Sequence, residues 1–443
     1  MPRIFIAAAH KSSGKTVIST GLTAALIARG LTVQTFKKGP DYIDPMWLSE
    51  ASDNPCYNLD FNTMAQDELL RLYASHPADI SLIEANKGLF DGVDLGGSDS
   101  NAALAKLLKA PVILVIDTVG MTRGIAPLLQ GYAAFDPQVN IAGVILNKVG
   151  GPRHEAKLRA AVAKYTDIAV LGAVHKNVNL EIGERHLGLT TPAESGAFAE
   201  QILQLGVIIA ASVDLDKVVE IGLSAPDISV PIKPVIAPIS DVTIGIPRDT
   251  AFGFYYPDDL QALENAGAKL VFFDTMHDPK LPDLDGLFLG GGFPETQMVA
   301  LAENISMRAS IRHAIKSGMP AYGECGGLMY LCKTLEWQGK RFDMVGAIDG
   351  DAVMNARPQG RGYARLRGDF EFPAHEFHYA RVDNLPDHTK YAYEVLRGHG
   401  INGKHDGIMV NNLIAGFCHL RNTETNPWAA RFVDFVRAKK MPR

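Results

Sequence analysis

One cysteine of this 443-residue chain, Cys325, stands in a setting that could make it a nucleophile. The apolar run 319–322 leads into the sequence Gly-Glu-Cys-Gly-Gly at 323–327, and a helix-like stretch, 328–331, follows. This order predicts a sharp strand-to-helix turn that holds the thiol clear of the backbone, at a helix N-terminus that favours the thiolate. A buried structural cysteine is the alternative, because free cysteine is often buried, but a packed core position does not need glycine on both sides.

A thiol nucleophile usually needs a histidine as its base, and we predict His419 in that role. It ends the apolar run 414–418, so it would stand at a strand terminus, as Cys325 does. The other candidates lie in the motif 374–379 or in a glycine-rich segment: His375, His378, His399 and His405. The sequence His-Glu-Phe-His at 375–378 is not the zinc-binding HExxH pattern, because its histidines are three residues apart, but it could contact substrate.

Glycines at a second strand end could form the oxyanion site that acyl transfer requires. The predicted strand 286–289 runs into three glycines, 290–292. Backbone N–H groups of Gly291 and Gly292, with that of Gly326 beside the cysteine, could bind the oxygen of the reacting carbonyl. A tight turn is the alternative explanation for the glycines.

The N-terminus carries the order of elements that a phosphate-binding loop requires. Residues 4–8 form a short apolar run of buried-strand type, a small polar loop ends in Gly14-Lys15-Thr16, and 17–29 is helical in pattern. Backbone N–H groups around Ser13 and Gly14 would cradle the phosphates of ATP, Lys15 would reach the terminal phosphates, and the Thr16 hydroxyl could bind Mg²⁺. The glycine that usually opens the motif is replaced by Ala9.

Charged residues follow two further predicted strands of the same half. Lys37, Asp41 and Asp44 share a turn-rich segment, and Glu84 ends the apolar run 80–83. An acid at the carboxyl end of a parallel strand, near a phosphate loop, is where a magnesium ligand is wanted. Solvated loops are the alternative. We therefore predict a metal site of Thr16, Asp41 and Glu84, and a substrate site that includes Lys37, Asp41, Asp44 and Lys87.

Two more features of the N-terminal half are candidate ligand contacts. Asn147 follows the predicted strand 141–146 and could read the nucleotide base, although an Asn after a strand is also a common turn residue. Arg185 and His186 lie with two glutamates in the polar loop 181–189, which could line a pocket for an acidic substrate or form a surface salt-bridge cluster.

Composition narrows the class of protein. A chain with 47% hydrophobic and 21% charged residues is globular in character, and 443 residues exceed one hydrophobic core. The net charge of −6 makes nucleic acid an unexpected partner, and no apolar run is long enough to cross a membrane. Four scattered cysteines without CxxC pairing indicate reduced thiols and a cytoplasmic enzyme.

Predicted strands and helices alternate along both halves of the chain, and the candidate residues lie at their ends. This order predicts an α/β fold made of two doubly wound α/β domains, with ligands at the carboxyl ends of the strands. Between them, the stretch 226–242 contains four prolines and suits an extended connector. We predict an N-terminal P-loop domain at 1–225, the connector at 226–242 and a second domain at 243–443.

Five motifs together resemble the cobyrinic acid a,c-diamide synthase family over nearly the whole chain. They are Gly-Pro-Asp-Tyr-Ile-Asp-Pro at 39–45, Arg-His-Leu-Gly-Leu at 185–189, Gly-Gly-Gly-Phe-Pro-Glu at 290–295, Glu-Cys-Gly-Gly-Leu-Met-Tyr-Leu at 324–331 and His-Glu-Phe-His-Tyr at 375–379. The resemblance implies an ATP-dependent synthetase domain, similar to dethiobiotin synthetase, joined to a class I glutamine amidotransferase domain. It implies glutamine hydrolysis and amidation of acetate carboxylates of a tetrapyrrole through an acyl phosphate.

The resemblance also assigns roles and leaves alternatives. Cys325 and His419 match the family's nucleophile and base, while Arg421 stands where many class I amidotransferases carry a glutamate, which implies a dyad. Residues 85–87 read Ala-Asn-Lys where the family usually reads Gly-Val-Met, so siroheme or nickel-sirohydrochlorin is an alternative substrate. A further alternative is a non-enzymatic P-loop switch or scaffold with a relic amidotransferase half. The expected partners are glutamine and the tetrapyrrole, and the chain could form a homodimer.

Overall fold

The computed structural model describes residues 1–177, 198–231 and 240–440, together with the backbone of 184–185 and 188–189. It divides into two compact units, Met1–Lys233 and Pro234–Arg443. The division falls inside the proline-rich stretch 226–242, and the limits of the connector stay a prediction.

Seven parallel strands form the sheet of the N-terminal unit, in the order β3-β2-β4-β1-β5-β6-β7. All six residues of the strand nearest the middle, Arg3–Ala8, are buried, as expected for a parallel sheet covered on both faces. The strands are β1 Arg3–Ala8, β2 Val33–Lys38, β3 Tyr57–Leu59, β4 Ile80–Glu84, β5 Val112–Asp117, β6 Ile141–Val149 and β7 Ala169–His175.

Helices cover both faces of this sheet, which confirms the predicted doubly wound arrangement. Alternate side chains of β1 enter different cores, since Phe5 packs in one cluster and Ile4 and Ile6 pack in another. A two-stranded pair, β8 Glu184–Arg185 and β9 Gly188–Leu189, follows the sheet. The helices are α1 Lys15–Ala28, α2 Ile43–Ser52, α3 Gln66–Ala74, α4 Asn101–Leu107, α5 Ile125–Phe135, α6 Pro152–Tyr165, α7 Phe198–Ser212 and α8 Leu215–Leu223.

The C-terminal unit is built on a mixed sheet of nine strands, in the order β12-β10-β13-β15-β24-β23-β22-β19-β20. The first five strands are parallel and the remaining four continue in antiparallel pairs. The strands are β10 Val242–Pro247, β12 Ala268–Phe273, β13 Gly286–Leu289, β15 Ala321–Glu324, β19 Gly360–Arg367, β20 Glu371–His378, β22 Lys390–Arg397, β23 His405–Val410 and β24 Leu413–Gly416.

Smaller sheets and six helical segments complete this unit. A two-stranded sheet pairs β11 Phe252–Phe254 with β14 Gly291–Gly292, and a four-stranded one contains β16 Thr334–Trp337, β17 Lys340–Asp343, β18 Asp351–Met354 and β21 Ala380–Asp383. The helices are α9 Pro257–Asn265, α10 Met298–Glu303, α11 Ile305–Lys316, α12 Gly326–Leu331 and α13 Trp428–Lys439, with a 3-10 turn at Pro294–Gln297.

His375 and His378 lie in strand β20 and are buried, and their contact with substrate stays a prediction. The sequence analysis did not predict the antiparallel half of the sheet, in which β23, β22, β19 and β20 follow β24. All four cysteines are unpaired, as the sequence predicts. No helix within the described ranges has the length and apolar character of a membrane span.

Candidate active site

Cys325 lies on a strained turn between β15 and α12. Its backbone adopts φ 48° and ψ −101°, a conformation that L-residues rarely occupy outside functional sites. The Cys325 N–H donates to the carbonyl of Gly416 at 2.8 Å, which ties the turn to the end of β24. Glycine is required at 327 for the start of α12 to pack closely against β13, because a Cβ there would lie 2.2 Å from the Leu289 carbonyl oxygen. Cys325 is 8% exposed, so the candidate nucleophile is buried at the end of β15.

His419 reaches the cysteine because their strands are neighbours. β15 and β24 pair in parallel with Glu324 opposite Gly416, so both chain segments leave the sheet at the same edge. The imidazole of His419 hydrogen-bonds the thiol of Cys325 and the carboxylate of Glu324. Burial lowers the pKa of this imidazole, but the two hydrogen bonds outweigh burial and raise the pKa to about 10. A protonated base beside a thiol favours the thiolate.

Glu324 is a site residue that the sequence analysis did not name. Its Oε2 lies 3.3 Å from Nδ1 of His419, and both side chains are 3% exposed. Its Oε1 accepts hydrogen bonds from the Leu420 N–H at 2.8 Å and the Tyr322 hydroxyl at 3.0 Å. The available signal was that this acid ends the strand which delivers the nucleophile.

The predicted oxyanion glycines pack against the same turn. A Cβ on Gly326 would lie 2.9 Å from the Gly292 backbone nitrogen, and one on Gly291 would lie 2.7 Å from Cε1 of His419. Gly291 and Gly292 form β14 and pair with β11, so these two glycines are part of a small sheet and not only a tight turn, while Gly326 begins α12. Their oxyanion role stays a prediction, and their backbone is close to both catalytic candidates.

The phosphate loop of the N-terminal unit lies between β1 and α1. Gly14 has φ 86° and precedes the first residue of α1, while Ser13 is buried and its hydroxyl donates to the His10 carbonyl at 2.8 Å. Lys15 Nζ donates to the Lys87 carbonyl at 2.7 Å, which ties the phosphate loop to the loop after β4. Burial, with the nearby Lys37 ammonium, lowers the pKa of Lys15 to about 8.

Lys37 is buried in the middle of the predicted acidic site. It makes ion pairs with Asp44, with Glu84 at 2.6 Å and with Asp41 at 3.7 Å. Burial would lower the pKa of Lys37, but Asp44 and Glu84 outweigh burial and raise it well above its ordinary value. Burial also raises the pKa of Asp44, and here the Lys37 ammonium outweighs it and lowers the pKa. Burial, followed by the charge of Asp44, raises the pKa of Asp41 to about 7.

The donor set at the phosphate loop fits a magnesium ion. Thr16 Oγ1 donates to Glu84 Oε1 at 3.1 Å, while Glu84 Oε2 is buried without a hydrogen-bond partner in the described structure. Asp41 Oδ1 accepts the N–H groups of Ile43 and Asp44, the first two residues of α2. The described residues contain no cluster of three His, Cys, Asp or Glu that would hold a metal alone. This is compatible with Mg²⁺, which protein sites commonly bind through one or two carboxylates plus substrate phosphates.

The remaining predicted contacts lie in different places. The Asn147 side chain is 5% exposed and donates to the Ser13 carbonyl at 2.9 Å, so its amide supports the phosphate loop, and base reading stays a prediction. The Lys87 side chain is exposed. The side chain of Arg185 and all of His186 lie outside the described residues, and their substrate role stays a prediction.

Comparison with known proteins covers both units. Residues 4–189 match the CobQ/CobB/MinD/ParA nucleotide binding domain, and 243–427 match the CobB/CobQ-like glutamine amidotransferase domain. The cobyrinate a,c-diamide synthase of Magnetococcus marinus is 43% identical over 457 residues, covering 99% of this chain and 98% of the relative. Those of Methanosarcina acetivorans and Dehalococcoides mccartyi strain 195 are each 39% identical and cover 100% and 99% of this chain, and 97% and 98% of their own lengths.

Relatives of this identity span the chain from end to end, and both domain models fall on the units that carry the two sites. The phosphate loop lies within the nucleotide-binding match, and Cys325 and His419 lie within the amidotransferase match. The chain belongs to the cobyrinate a,c-diamide synthase family, as its motifs predict.

Proposed function

We propose that this protein is a glutamine- and ATP-dependent ligase that converts the a and c acetate carboxylates of cobyrinate to amides. The observation that carries the proposal is that one chain holds two sites of complementary chemistry. One pairs Cys325 with His419, and the other is a phosphate loop in which Lys15 donates to the Lys87 carbonyl and Thr16 donates to the buried Glu84. Full-length relatives that carry the name cobyrinate a,c-diamide synthase support the same substrate.

At the first site, glutamine supplies ammonia. The proton of the Cys325 thiol passes to His419, and the thiolate attacks the side-chain amide carbon of glutamine. Backbone N–H groups at Gly292 and Gly326 are the proposed donors to the oxygen of the tetrahedral intermediate. The C–N bond breaks as His419 returns its proton to the leaving nitrogen, and water then hydrolyses the glutamyl thioester to release glutamate.

At the second site, a substrate carboxylate attacks the γ-phosphorus of ATP and forms an acyl phosphate with release of ADP. Ammonia then displaces phosphate and gives the amide. The chemistry needs positioning and charge stabilisation more than covalent help from the protein. Lys15 is the proposed γ-phosphate contact. Its ammonium donates to the Lys87 carbonyl, and a phosphate oxygen of ATP would compete with that carbonyl for the same donor.

We also propose that this site uses Mg²⁺. When bound, the ion neutralises charge on the transferred phosphoryl group. Thr16 and Glu84 are the residues that would hold it, with Asp41 as a further candidate ligand. The buried Oε2 of Glu84 supports this choice, because a buried carboxylate oxygen without a partner is costly unless a cation or ligand pairs with it.

Mass spectrometry of reaction products tests the proposal. The purified protein is incubated with ATP, Mg²⁺, glutamine and cobyrinic acid, and the number of added amides is counted. Two amides are expected on cobyrinic acid. A product formed from siroheme or nickel-sirohydrochlorin, with none from cobyrinic acid, would replace the substrate and leave the ligase chemistry standing. The altered loop 85–87 is the reason to include those macrocycles.

The absence of amidation with every macrocycle, together with the absence of glutamine hydrolysis, would favour the non-enzymatic switch or scaffold. The proposed location is the cytoplasm, supported by four unpaired cysteines, and the proposed assembly is a homodimer. Light scattering of the purified protein tests the second of these.

A further inference from the structure

Arg421, two residues beyond His419, is a buried cation on the chain segment that carries the catalytic histidine. Its guanidinium donates to Asp258 at 2.6 Å and lies 3.9 Å from the centre of the Tyr256 ring. The side chain is 3% exposed, so this cation is fixed inside the unit. A cation two residues beyond His419 cannot stabilise an imidazolium by charge, and any supporting carboxylate must come from another element.

Glu324 comes from the neighbouring strand, on the Nδ1 side of the imidazole. The Oε1 atom is held by the Leu420 N–H and the Tyr322 hydroxyl, while Oε2 faces Nδ1 of His419 at 3.3 Å. Two donors on one oxygen fix the carboxylate, and the buried setting strengthens the remaining interaction. With Nδ1 directed at Glu324, the nitrogen left to face the thiol of Cys325 is Nε2.

We propose that Glu324 is the positioning carboxylate of the glutaminase site. It accepts the Nδ1–H of His419, so that Nε2 is the nitrogen that exchanges a proton with the Cys325 thiol, and it stabilises the imidazolium of the thiolate–imidazolium pair. The nucleophile and its supporting acid are then consecutive residues of one strand end. The inference rests on the proposed function only for the identity of the substrate, glutamine.

Four rings near Glu324 and His419 are uncharged. Three tyrosines next to Glu324 have pKa values raised by burial, and the charge of Glu324 raises them further, so all stay neutral: Tyr255, Tyr322 and Tyr393. Burial, with the nearby charges of His419 and Arg421, lowers the pKa of His375 well below its ordinary value, so this ring is neutral.

Glu324→Gln tests the proposal with glutamine as the only substrate. The amide keeps an oxygen for the Leu420 N–H but donates an N–H to Nδ1, which moves the imidazole proton to Nε2 and prevents it from accepting the thiol proton. We expect kcat for glutamine hydrolysis to fall roughly 10²–10⁴-fold at neutral pH. We also expect the rate to rise about tenfold per pH unit toward an ordinary thiol pKa of about 8.5, because the variant must wait for a free thiolate.

Alkylation of Cys325 by iodoacetamide gives a readout that does not need turnover. Loss of the Glu324 charge weakens the thiolate–imidazolium pair, so the alkylation midpoint of Glu324→Gln should move to higher pH than in the wild type. Glu324→Asp keeps the charge, and its midpoint should stay near the wild-type value even if kcat falls. If Glu324→Gln does not fold, Glu324→Asp carries the test, and an alkaline shift in this variant would overturn the proposal.

Asp406→Asn is the matched structural control. Asp406 is a buried acid that accepts the N–H groups of Phe417 and Cys418, as Glu324 accepts that of Leu420, and the described structure shows no contact with His419. The control should lower thermal stability without moving the pH profile. Equal loss in Glu324→Gln at every pH, or no loss, would overturn the proposal.

Amidation driven by free ammonia separates this inference from the proposed function. Glu324→Gln should retain it. If the wild type hydrolyses glutamine but amidates no tetrapyrrole, the proposed function is overturned. The proposal for Glu324 is then decided by the glutamine hydrolysis rates alone. A wild type with no glutamine turnover would overturn both.

Discussion

The ring of His375 lies flat against the ring of His419, with centroids 4.8 Å apart and planes 16° from parallel. The two residues also exchange backbone hydrogen bonds of 2.8 Å and 3.2 Å. Burial, followed by the charge of His419, holds the pKa of His375 well below its ordinary value, so its ring is neutral. This neutral ring packs against the imidazolium of His419 and limits its movement. The motif 375–378 thus supports the base from within the sheet.

His375→Phe should preserve the ring stacking against His419, because a phenyl ring keeps the flat apolar surface and carries no charge. We expect glutamine hydrolysis to stay within a few-fold of wild type. His375→Ala, by contrast, opens a cavity behind His419, and we expect a loss of roughly 2–4 kcal/mol in the free energy of unfolding and a lower kcat. Chemical denaturation and a glutaminase assay measure these effects. A large loss of activity in His375→Phe would assign the ring a polar role.

Cys325→Ala should abolish glutamine-dependent amidation and leave ammonia-dependent amidation near wild type. The thiol is the proposed nucleophile of glutamine hydrolysis and takes no part in phosphoryl transfer. Product amides are counted with glutamine or with an ammonium salt as the nitrogen source. Loss of both activities in a folded variant would contradict the division of labour between the two units.

Lys15→Met should give the opposite result. Removing the ammonium at the phosphate loop is expected to lower amidation at least roughly 10²-fold with either nitrogen source, because the charge on the γ-phosphate loses its contact. Glutamine hydrolysis at Cys325 should persist. ADP release and glutamate release are followed in parallel, and unchanged ADP release would rule out Lys15 as the phosphate contact.

Gly291→Ala should impair the base directly. The added methyl carbon would lie 2.7 Å from Cε1 of His419, which is closer than unstrained contacts allow, so the imidazole must move. We expect a fall in kcat of at least about tenfold for glutamine hydrolysis, since small misplacements of catalytic groups are costly. Gly131→Ala is the control, because a Cβ at that glycine of α5 meets nothing within 4 Å. If Gly291→Ala keeps the wild-type kcat, the backbone at 291 shifts to accommodate the methyl group without displacing His419, and the prediction is wrong.

The stability of the enzyme should fall as pH rises above neutral. The folded-state pKa of His419, about 10, lies above its ordinary 6.5, so folding retains a proton that the unfolded chain releases. This stabilisation is complete below pH 6.5 and is lost as pH rises toward 10. Thermal melts across that range should show a decline that is smaller in His419→Gln. An equal decline in both proteins would exclude this histidine as the cause.

Short stretches of sequence were enough to predict the local elements around each candidate residue. Gly-Lys-Thr at 14–16 between an apolar run and a helical pattern, Glu84 at a strand end and Cys325 between glycines are each signalled within short windows, and the structure has those elements at those places. Strand-to-helix turns depend on neighbouring residues, so a short window contains enough information to predict them. The repeated β-then-α order likewise predicted the doubly wound sheet.

The contacts between distant side chains could not be predicted from such stretches and follow from the order of strands in the sheet. Glu324 touches Leu420, 96 positions along the chain, because β15 and β24 are neighbours in a sheet whose order does not follow the sequence. The same sheet stacks His375 against His419, while the Arg421 guanidinium donates to Asp258. Long-range strand pairing is a property of the whole packed core. A local pattern can therefore predict the nucleophile and its base, while the acid that orients them depends on which strands the core brings together.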